Sequence, residues 1–389
     1  MKRDRKCDIL NTQDPNIRKS DVSISKSAPI LAHQAERTVL KMKKMKVAVV
    51  GYGGMGGWHV DKISQNDVAE VAGIYDIDPA RCELAESRGI HVYASLEEVL
   101  SDPSVELITV ATPNDVHEEI AIAAMNAGKN VISEKPVTIS LESLERMIAA
   151  SERNGVKFSV HQNRRWDADF LAMKQLCDSG ELGDVINIES RVHGSRGIPG
   201  DWRGVKKYGG GMLYDWGIHL IDQILMIFGF NPKRVSCICD YITNSECDDG
   251  FRLDIYFENG IRATVEVGTY NFINMPRWYL RAKGGSASIP AWKTPVDVVK
   301  CDKWQELNVT PVQTAAGLTK TMAPRDDYTT DTYQIELPKS DVHDYYRNFI
   351  RAIRGEEEQL ITHDQMRMDL KVILAAFQSA ETGTIVDIQ

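Results

Sequence analysis

No run of apolar residues in this chain approaches the ~18 that would cross a bilayer, which excludes a spanning helix. Cys-x-x-Cys does not occur, and the seven cysteines are an odd number at scattered positions. A disulfide framework and a zinc site are therefore not expected, and a reduced, cytoplasmic protein holding no metal is the simpler reading. The closest pair, Cys237-Ile-Cys239, lies in an expected strand whose alternation sends both thiols to one face. Internal repeats and low-complexity tracts are missing. So is a basic excess: 46 Lys and Arg against 55 Asp and Glu leave −9, which disfavours a general nucleic-acid binder.

What remains is 389 residues with 43% hydrophobic and 26% charged, the ordinary globular range. That length suggests about two or three domains. Charge is unevenly placed, because residues 1–46 hold 12 Lys/Arg and only 5 Asp/Glu. This head has no sustained apolar period. It is too polar for a signal-peptide core and too acidic for a transit peptide. Residues 1–44 are read as a flexible basic extension, with the globular body beginning near Met42 or Met45.

From Lys46 the pattern is apolar strand, turn, helix, repeated. Lys46–Val50, Val68–Tyr75, Leu107–Ala111, Asn130–Ser133 and Lys157–His161 read as strands. Asp78-Pro79, a capping box at Ser95–Glu98, and Gly128 and Gly155 mark helix ends between them. Strands alternating with helices predict an α/β, doubly wound parallel sheet of the Rossmann type over 45–163. After Asn163 the grammar changes. Val185–His193 is a strand, an apolar helix runs near Leu213–Phe228, and Asn259-Gly260 and Gly284-Gly285 are hairpin signals. Helices near Val342–Arg354 and Gln365–Glu381 close the chain. Residues 164–389 are expected to form an α+β domain with a large, mostly antiparallel open sheet, the last helix packing back on the first domain.

Gly51-Tyr-Gly53-Gly54-Met55-Gly56 fits G-x-G-x-x-G between a strand and a helix. The first Gly permits the tight turn, the second lets backbone approach a pyrophosphate, and the third lets helix and strand pack closely. The helix start supplies N–H groups for phosphates. Asp76 follows at the end of the second strand, where a carboxylate accepts the ribose hydroxyls and repels a 2′-phosphate. NAD is therefore expected over NADP. Asp215, His219 and Asp222 stand at i, i+4 and i+7, so a helix would place them on one face, the carboxylate orienting the imidazole as a base. Lys135 leaves the carboxyl edge of the parallel sheet, where an ammonium can stabilise an alkoxide.

Ala111-Thr112-Pro113-Asn114-Asp-Val-His117, Glu134-Lys135-Pro136 and Gly209–Asp222, together with the glycine turn, resemble the Gfo/Idh/MocA oxidoreductases. The family is named after glucose-fructose oxidoreductase and inositol dehydrogenase. The likeness spans about residues 45–389, and Gln162-Asn163-Arg164-Arg165-Trp166-Asp167 resembles its scyllo-inositol and glucoside dehydrogenase branch. The resemblance implies Lys135, Asp215 and His219 as the catalytic trio, without dividing proton transfer between the lysine and the histidine. It places Thr112, Pro113, Asn114 and His117 beside the nicotinamide, Glu134 on its ribose, and Asp222 on substrate hydroxyls. His117 as a helix-start residue and Asp222 as a structural hydrogen-bonder are the alternatives.

Asn163, Arg164, Arg165, Trp166, Trp202, Arg203 and Trp216 are candidates for a pocket wall, since indoles stack on sugar C–H faces and guanidinium groups match vicinal hydroxyls. Trp216 departs from the small hydroxyl residue found in some inositol dehydrogenases, which speaks against free inositol and fits a larger glycoside or a reshaped pocket. The expectation is hydride transfer from a secondary hydroxyl of a cyclic polyol, sugar or glycoside, by a homodimer or homotetramer that binds neither nucleic acid nor membrane. Two rivals are a glycosidase that retains NAD and works by transient oxidation and elimination, and a non-catalytic regulator sensing sugar or dinucleotide. The regulator would be expected to have lost the trio.

Overall fold

The computed structural model describes residues 43–303 and 305–388. The expected basic extension lies outside these, apart from Lys43 and Lys44, and so does Cys7.

The first lobe is built from β1 (Met45–Val50), α1 (Gly54–Gln65), β2 (Ala69–Tyr75), α2 (Pro79–Ser87), α3 (Leu96–Ser101), β3 (Leu107–Val110), α4 (His117–Asn126), β4 (Asn130–Ser133), α5 (Leu141–Asn154) and β5 (Phe158–Val160). The strands pair in parallel in the order β2-β1-β3-β4-β5. A lone parallel bridge from Val92 to Ile74 marks a vestigial further strand beyond β2. Strand order reverses between β1 and β3. Right-handed crossovers then send helices to opposite faces and open a crevice at that point. Local chemistry sets the ends. Pro79 opens α2 behind Asp78, whose side chain accepts the Ala80 N–H. At α3 the capping box is only half made: Ser95 accepts the Glu98 N–H, but the Glu98 carboxylate reaches past Ser95 to the Ala94 N–H.

The second lobe begins with α6 (Ala168–Ser179) and β6 (Val185–His193). A π-helical turn, Leu213–Gly217, runs into α7 (Ile218–Phe228). Then come β7 (Arg234–Asp240), β8 (Gly250–Tyr256), β9 (Arg262–Gly268), β10 (Trp278–Ala282), β11 (Gly285–Ile289) and β12 (Val296–Lys300). A small hairpin, β13 (Val312–Thr314) and β14 (Gly317–Thr319), precedes β15 (Asp331–Ile335), α8 (Asp344–Ile353), α9 (His363–Thr382) and β16 (Val386–Asp387). The large sheet has the order β15-β12-β11-β10-β6-β9-β8-β7-β16. Every pair is antiparallel except β6 with β9.

Two apolar cores result. One gathers β1, β3, β4 and α5, and draws Tyr345, Tyr346, Phe349, Ile350, Met366 and Leu370 from the far end of the chain. The other lies between the large sheet and α6, α7 and the latter part of α9, through Val372, Ile373 and Ala376. Each fully buried Phe or Ile stabilises its core by about 1.5–3 kcal/mol. The segment that returns to the first lobe is therefore α8 with the opening turns of α9, more than the last helix alone.

Candidate active site

At the strand reversal the chain turns at Gly51, whose φ is +92° and where a Cβ would stand 2.6 Å from the Ala111 carbonyl oxygen. A Cβ on Gly56 would overlap the Gly51 carbonyl, so strand and helix meet at a contact only glycine allows. Gly53 and Gly54, with Met55 beside them, face open space. The start of α1 carries no side-chain cap, which leaves its N–H groups available. Asp76 is braced by two backbone donors, the Tyr52 N–H at 2.6 Å and the Asp78 N–H at 2.8 Å.

A cleft of about 770 Å³ runs from this turn past Asp76, Thr112, Pro113 and Asn114 to Glu134, Lys135, Trp202, Arg203 and Asp215. Its residues fit a dinucleotide: Thr112 Oγ1 is buried there with no partner, and the glycine positions leave room for phosphates. Asn114 ties the two lobes together by donating from Nδ2 to the carbonyls of Tyr208 (3.1 Å) and Gly209 (3.2 Å).

At the end of the cleft Lys135 Nζ donates to Asp215 Oδ1 at 2.7 Å and to the Asp215 carbonyl at 2.9 Å. Arg203 Nε reaches Asp215 Oδ2 at 3.3 Å. Burial would raise the Asp215 carboxyl, but Lys135 and then Arg203 hold it below the usual carboxylate range. His219 does not bond to Asp215. The expected shared helical face is broken because Asp215 lies in the π-helical turn, whose wider winding rotates it away from the face of α7. The turn is pinned by Asp248, which accepts the Leu213 N–H at 2.7 Å. His219 Nδ1 instead meets Gln162 Oε1 at 3.0 Å. Burial, then the charges of Lys135 and Arg164, push the imidazole well below its ordinary value, so it is neutral. An amide oxygen opposite Nδ1 requires the proton there, which leaves the lone pair on Nε2.

Four expected pocket residues point elsewhere. His117 is fully buried, and its ring nitrogens lie against the Thr112 and Pro136 carbonyls, so it is the structural helix-start residue. Asp222 and Arg165 are spent on each other in a buried two-point pair, Nε–Oδ2 2.8 Å and Nη2–Oδ1 2.6 Å. Neither is free to bind substrate hydroxyls. Trp166 packs edge-on to Tyr345 against the first core. Arg164 and Trp216 do stay beside the site. The Arg164 guanidinium lies 4.1 Å from the Trp216 ring centroid, and Trp216 stands edge-on to His219 at 6.4 Å. Asn163 is half-buried next to Gln162.

Beneath the cleft, Glu134 Oε1 accepts from His59 Nε2 (2.8 Å) and His161 Nδ1 (2.7 Å), and its Oε2 accepts the Lys135 N–H. Burial alone would raise this carboxyl, yet the two imidazoles hold it well below its usual value. Among the described residues these three are the one His, Cys and carboxylate group close enough to share a metal ion, but they already satisfy one another at hydrogen-bond distance. Sequence reasoning missed Gln162 as the partner of His219. Its position directly after β5, on the carboxyl edge of the sheet, was the available signal. It also missed Trp292, 6.3 Å from Trp216 and 43% exposed.

A Rossmann lobe whose cleft runs from a glycine turn to a lysine–carboxylate pair beside a neutral imidazole defines a dinucleotide-dependent oxidoreductase. Residues 45–162 match the oxidoreductase family, NAD-binding Rossmann fold, and residues 170–288 match the GFO/IDH/MocA C-terminal domain. The chain belongs to the Gfo/Idh/MocA oxidoreductases. It is similar to scyllo-inositol 2-dehydrogenase (NADP(+)) IolW of Bacillus subtilis, at 29% identity over 88% of this chain and 95% of that one. An uncharacterized oxidoreductase of Rhizobium meliloti, ORF334, is 30% identical over 81% of this chain and 90% of that one. The crystal structure of an NAD-binding protein from Listeria innocua is 43% identical with a TM-score of 0.86, covering 89% of this chain and 100% of that one. Among the described residues no helix is long and apolar enough to cross a membrane.

Proposed function

We propose that this enzyme oxidises a secondary hydroxyl of a cyclic polyol, sugar or glycoside, with NAD as the preferred cofactor. The observation that carries the reading is His219, buried with Nδ1 against Gln162 Oε1 at 3.0 Å and within reach of the Lys135 charge, while the Lys135–Asp215 pair stands at the end of the dinucleotide cleft. The bound nicotinamide supplies the acceptor for the hydride. His219 Nε2 takes the hydroxyl proton while the C–H bond gives up its hydride and C–O becomes C=O. The Lys135 ammonium donates a hydrogen bond to the oxygen as negative charge develops. Asp215 holds that ammonium in place and Arg203 steadies Asp215.

Substrate class rests on the similarity to a scyllo-inositol dehydrogenase and on the aromatic surroundings. The preference for NAD rests on Asp76, whose carboxylate faces the cleft where a 2′-phosphate would stand, although the relative's name specifies NADP. Arg81 also lines that end and softens the repulsion. A homodimer or homotetramer is part of the same proposal, since a broad open sheet such as this one offers a surface for a second copy. Six free cysteines among the described residues agree with a reducing, cytoplasmic setting.

The test is a panel of inositols, free sugars and glycosides, scanned together for NADH formation and for released aglycone. NADH with intact glycoside supports the dehydrogenase. Aglycone without NADH replaces it with the eliminating glycosidase, and silence across the panel with NAD bound overturns the substrate class.

A further inference from the structure

Around His219 five polar side chains from three segments meet out of water. They are His219 and Asp222 of α7, Gln162 and Arg165 after β5, and Asp369 of α9, none more than 4% exposed. Arg165 is the one cation in this group. It forks onto Asp222, and its remaining N–H groups go to the Leu360 carbonyl and Gln365 Oε1. Asp369 is left with no cation of its own. Its Oδ2 accepts from Gln162 Nε2 at 3.4 Å, and its Oδ1 has no partner as an ionised oxygen. Two neighbouring carboxylates sharing one guanidinium do not both ionise in a dry site. Burial, and then the charge of Asp222, push the Asp369 carboxyl well above the usual range. Asp369 is therefore the protonated member, with its O–H directed to Asp222.

The consequence reaches the site through one amide. Gln162 can present either its oxygen or its NH₂ to His219. With NH₂ facing Nδ1, the imidazole would carry its proton on Nε2 and could not act as a base. With the oxygen facing Nδ1, Nε2 is free. An acceptor on the other side of the amide decides between them, because only the NH₂ end can satisfy it.

We propose that Asp369 is a positioning residue: as a neutral acid it takes the Gln162 NH₂, fixes the amide, and so selects the His219 tautomer with its lone pair on Nε2. The proposal rests on His219 being the base.

The test uses the full chain with histidine labelled with ¹⁵N, the His219 signals being assigned by their loss in His219→Asn. In the wild type Nδ1 carries the proton. In Asp369→Ala the proton redistributes toward Nε2, and kcat falls on the order of 10–100-fold, less than the 10²–10⁴ that general acid–base catalysis contributes in full. KM and NAD affinity stay near wild type. Asp369→Asn can still accept from Gln162 and donate to Asp222, and it recovers most of the lost turnover and the wild-type tautomer. Should Asp369→Ala fail to fold, Gln162→Leu removes the same constraint and gives the same loss. An unchanged tautomer in both Asp369→Ala and Gln162→Leu overturns the proposal, as does Asp369→Asn as impaired as Asp369→Ala. Full activity in His219→Ala would overturn the base assignment instead, while the tautomer measurement still reads the lock.

Discussion

Lys135 and Asp215 are separated by 80 residues of chain and by 2.7 Å in space. The lysine leaves the edge of the parallel sheet, and the carboxylate belongs to the π-helical turn of the other lobe. The ammonium is thus aimed by a residue that the dinucleotide-binding lobe does not contain.

Removing the groups assigned to proton handling separates binding from chemistry. Lys135→Ala and His219→Ala are each expected to keep NAD affinity within a few-fold, measured by fluorescence titration, and to lose about 10²–10⁴ in kcat. Full turnover in both variants on the best substrate would remove the mechanism.

Asp76 governs cofactor choice through one carboxylate. Asp76→Ser removes the repulsion of a 2′-phosphate and one acceptor for the ribose. The ratio of kcat/KM for NADP over NAD should rise on the order of tenfold, helped by Arg81 nearby. An unchanged ratio means that other groups set the preference.

Substrate size is expected to follow the indole beside His219. Trp216→Thr should favour compact cyclic polyols at the expense of glycosides, with their relative kcat/KM moving about 1–3 kcal/mol. An unaltered profile across the panel would show that Trp216 only supports Arg164.

The carboxylate that pins the π-helical turn carries a pH signature. Burial pushes Asp248 up to about 7. A carboxyl whose folded value is raised contributes stability that is fully present below its unfolded value, about 3.9, and is lost as pH rises through the folded one. Asp248→Asn keeps the acceptor for Leu213 and cannot ionise. Its melting temperature relative to wild type should climb from about pH 4 to about pH 7 and level off above that, and a flat difference would refute the shift.

Much of this was legible in the sequence because it is local. The glycine turn, Asp78-Pro79, the Gly155 stop and the Asn259-Gly260 hairpin are each set by residues within a few positions. What was hidden depends on long-range partners. Asp215 and His219 at i and i+4 imply contact only in a regular α-helix, and nothing in Gly209–Asp222 announces the extra residue in the turn. Arg165 was a candidate ligand for its guanidinium donors and Asp222 through the family resemblance, with a structural role as its alternative, and only their separation of 57 positions closing to 2.6 Å shows that they pair with each other. His117 is satisfied by carbonyls, which no side-chain pattern records. Trp292 belongs to the loop after β11, far in sequence from the indole it meets.

The longest helix has one end in each core: Met366 and Leu370 sit in the first, Val372, Ile373 and Ala376 in the second. An unbroken helix anchored at both ends is a strut, and it opposes the free swivel that a lone flexible linker would permit. Any relative movement of the two cores would then be confined to small sliding of packed surfaces along its length. Asp369 sits where that helix passes from one core to the other, so a shift there would be passed through the Gln162 amide to His219.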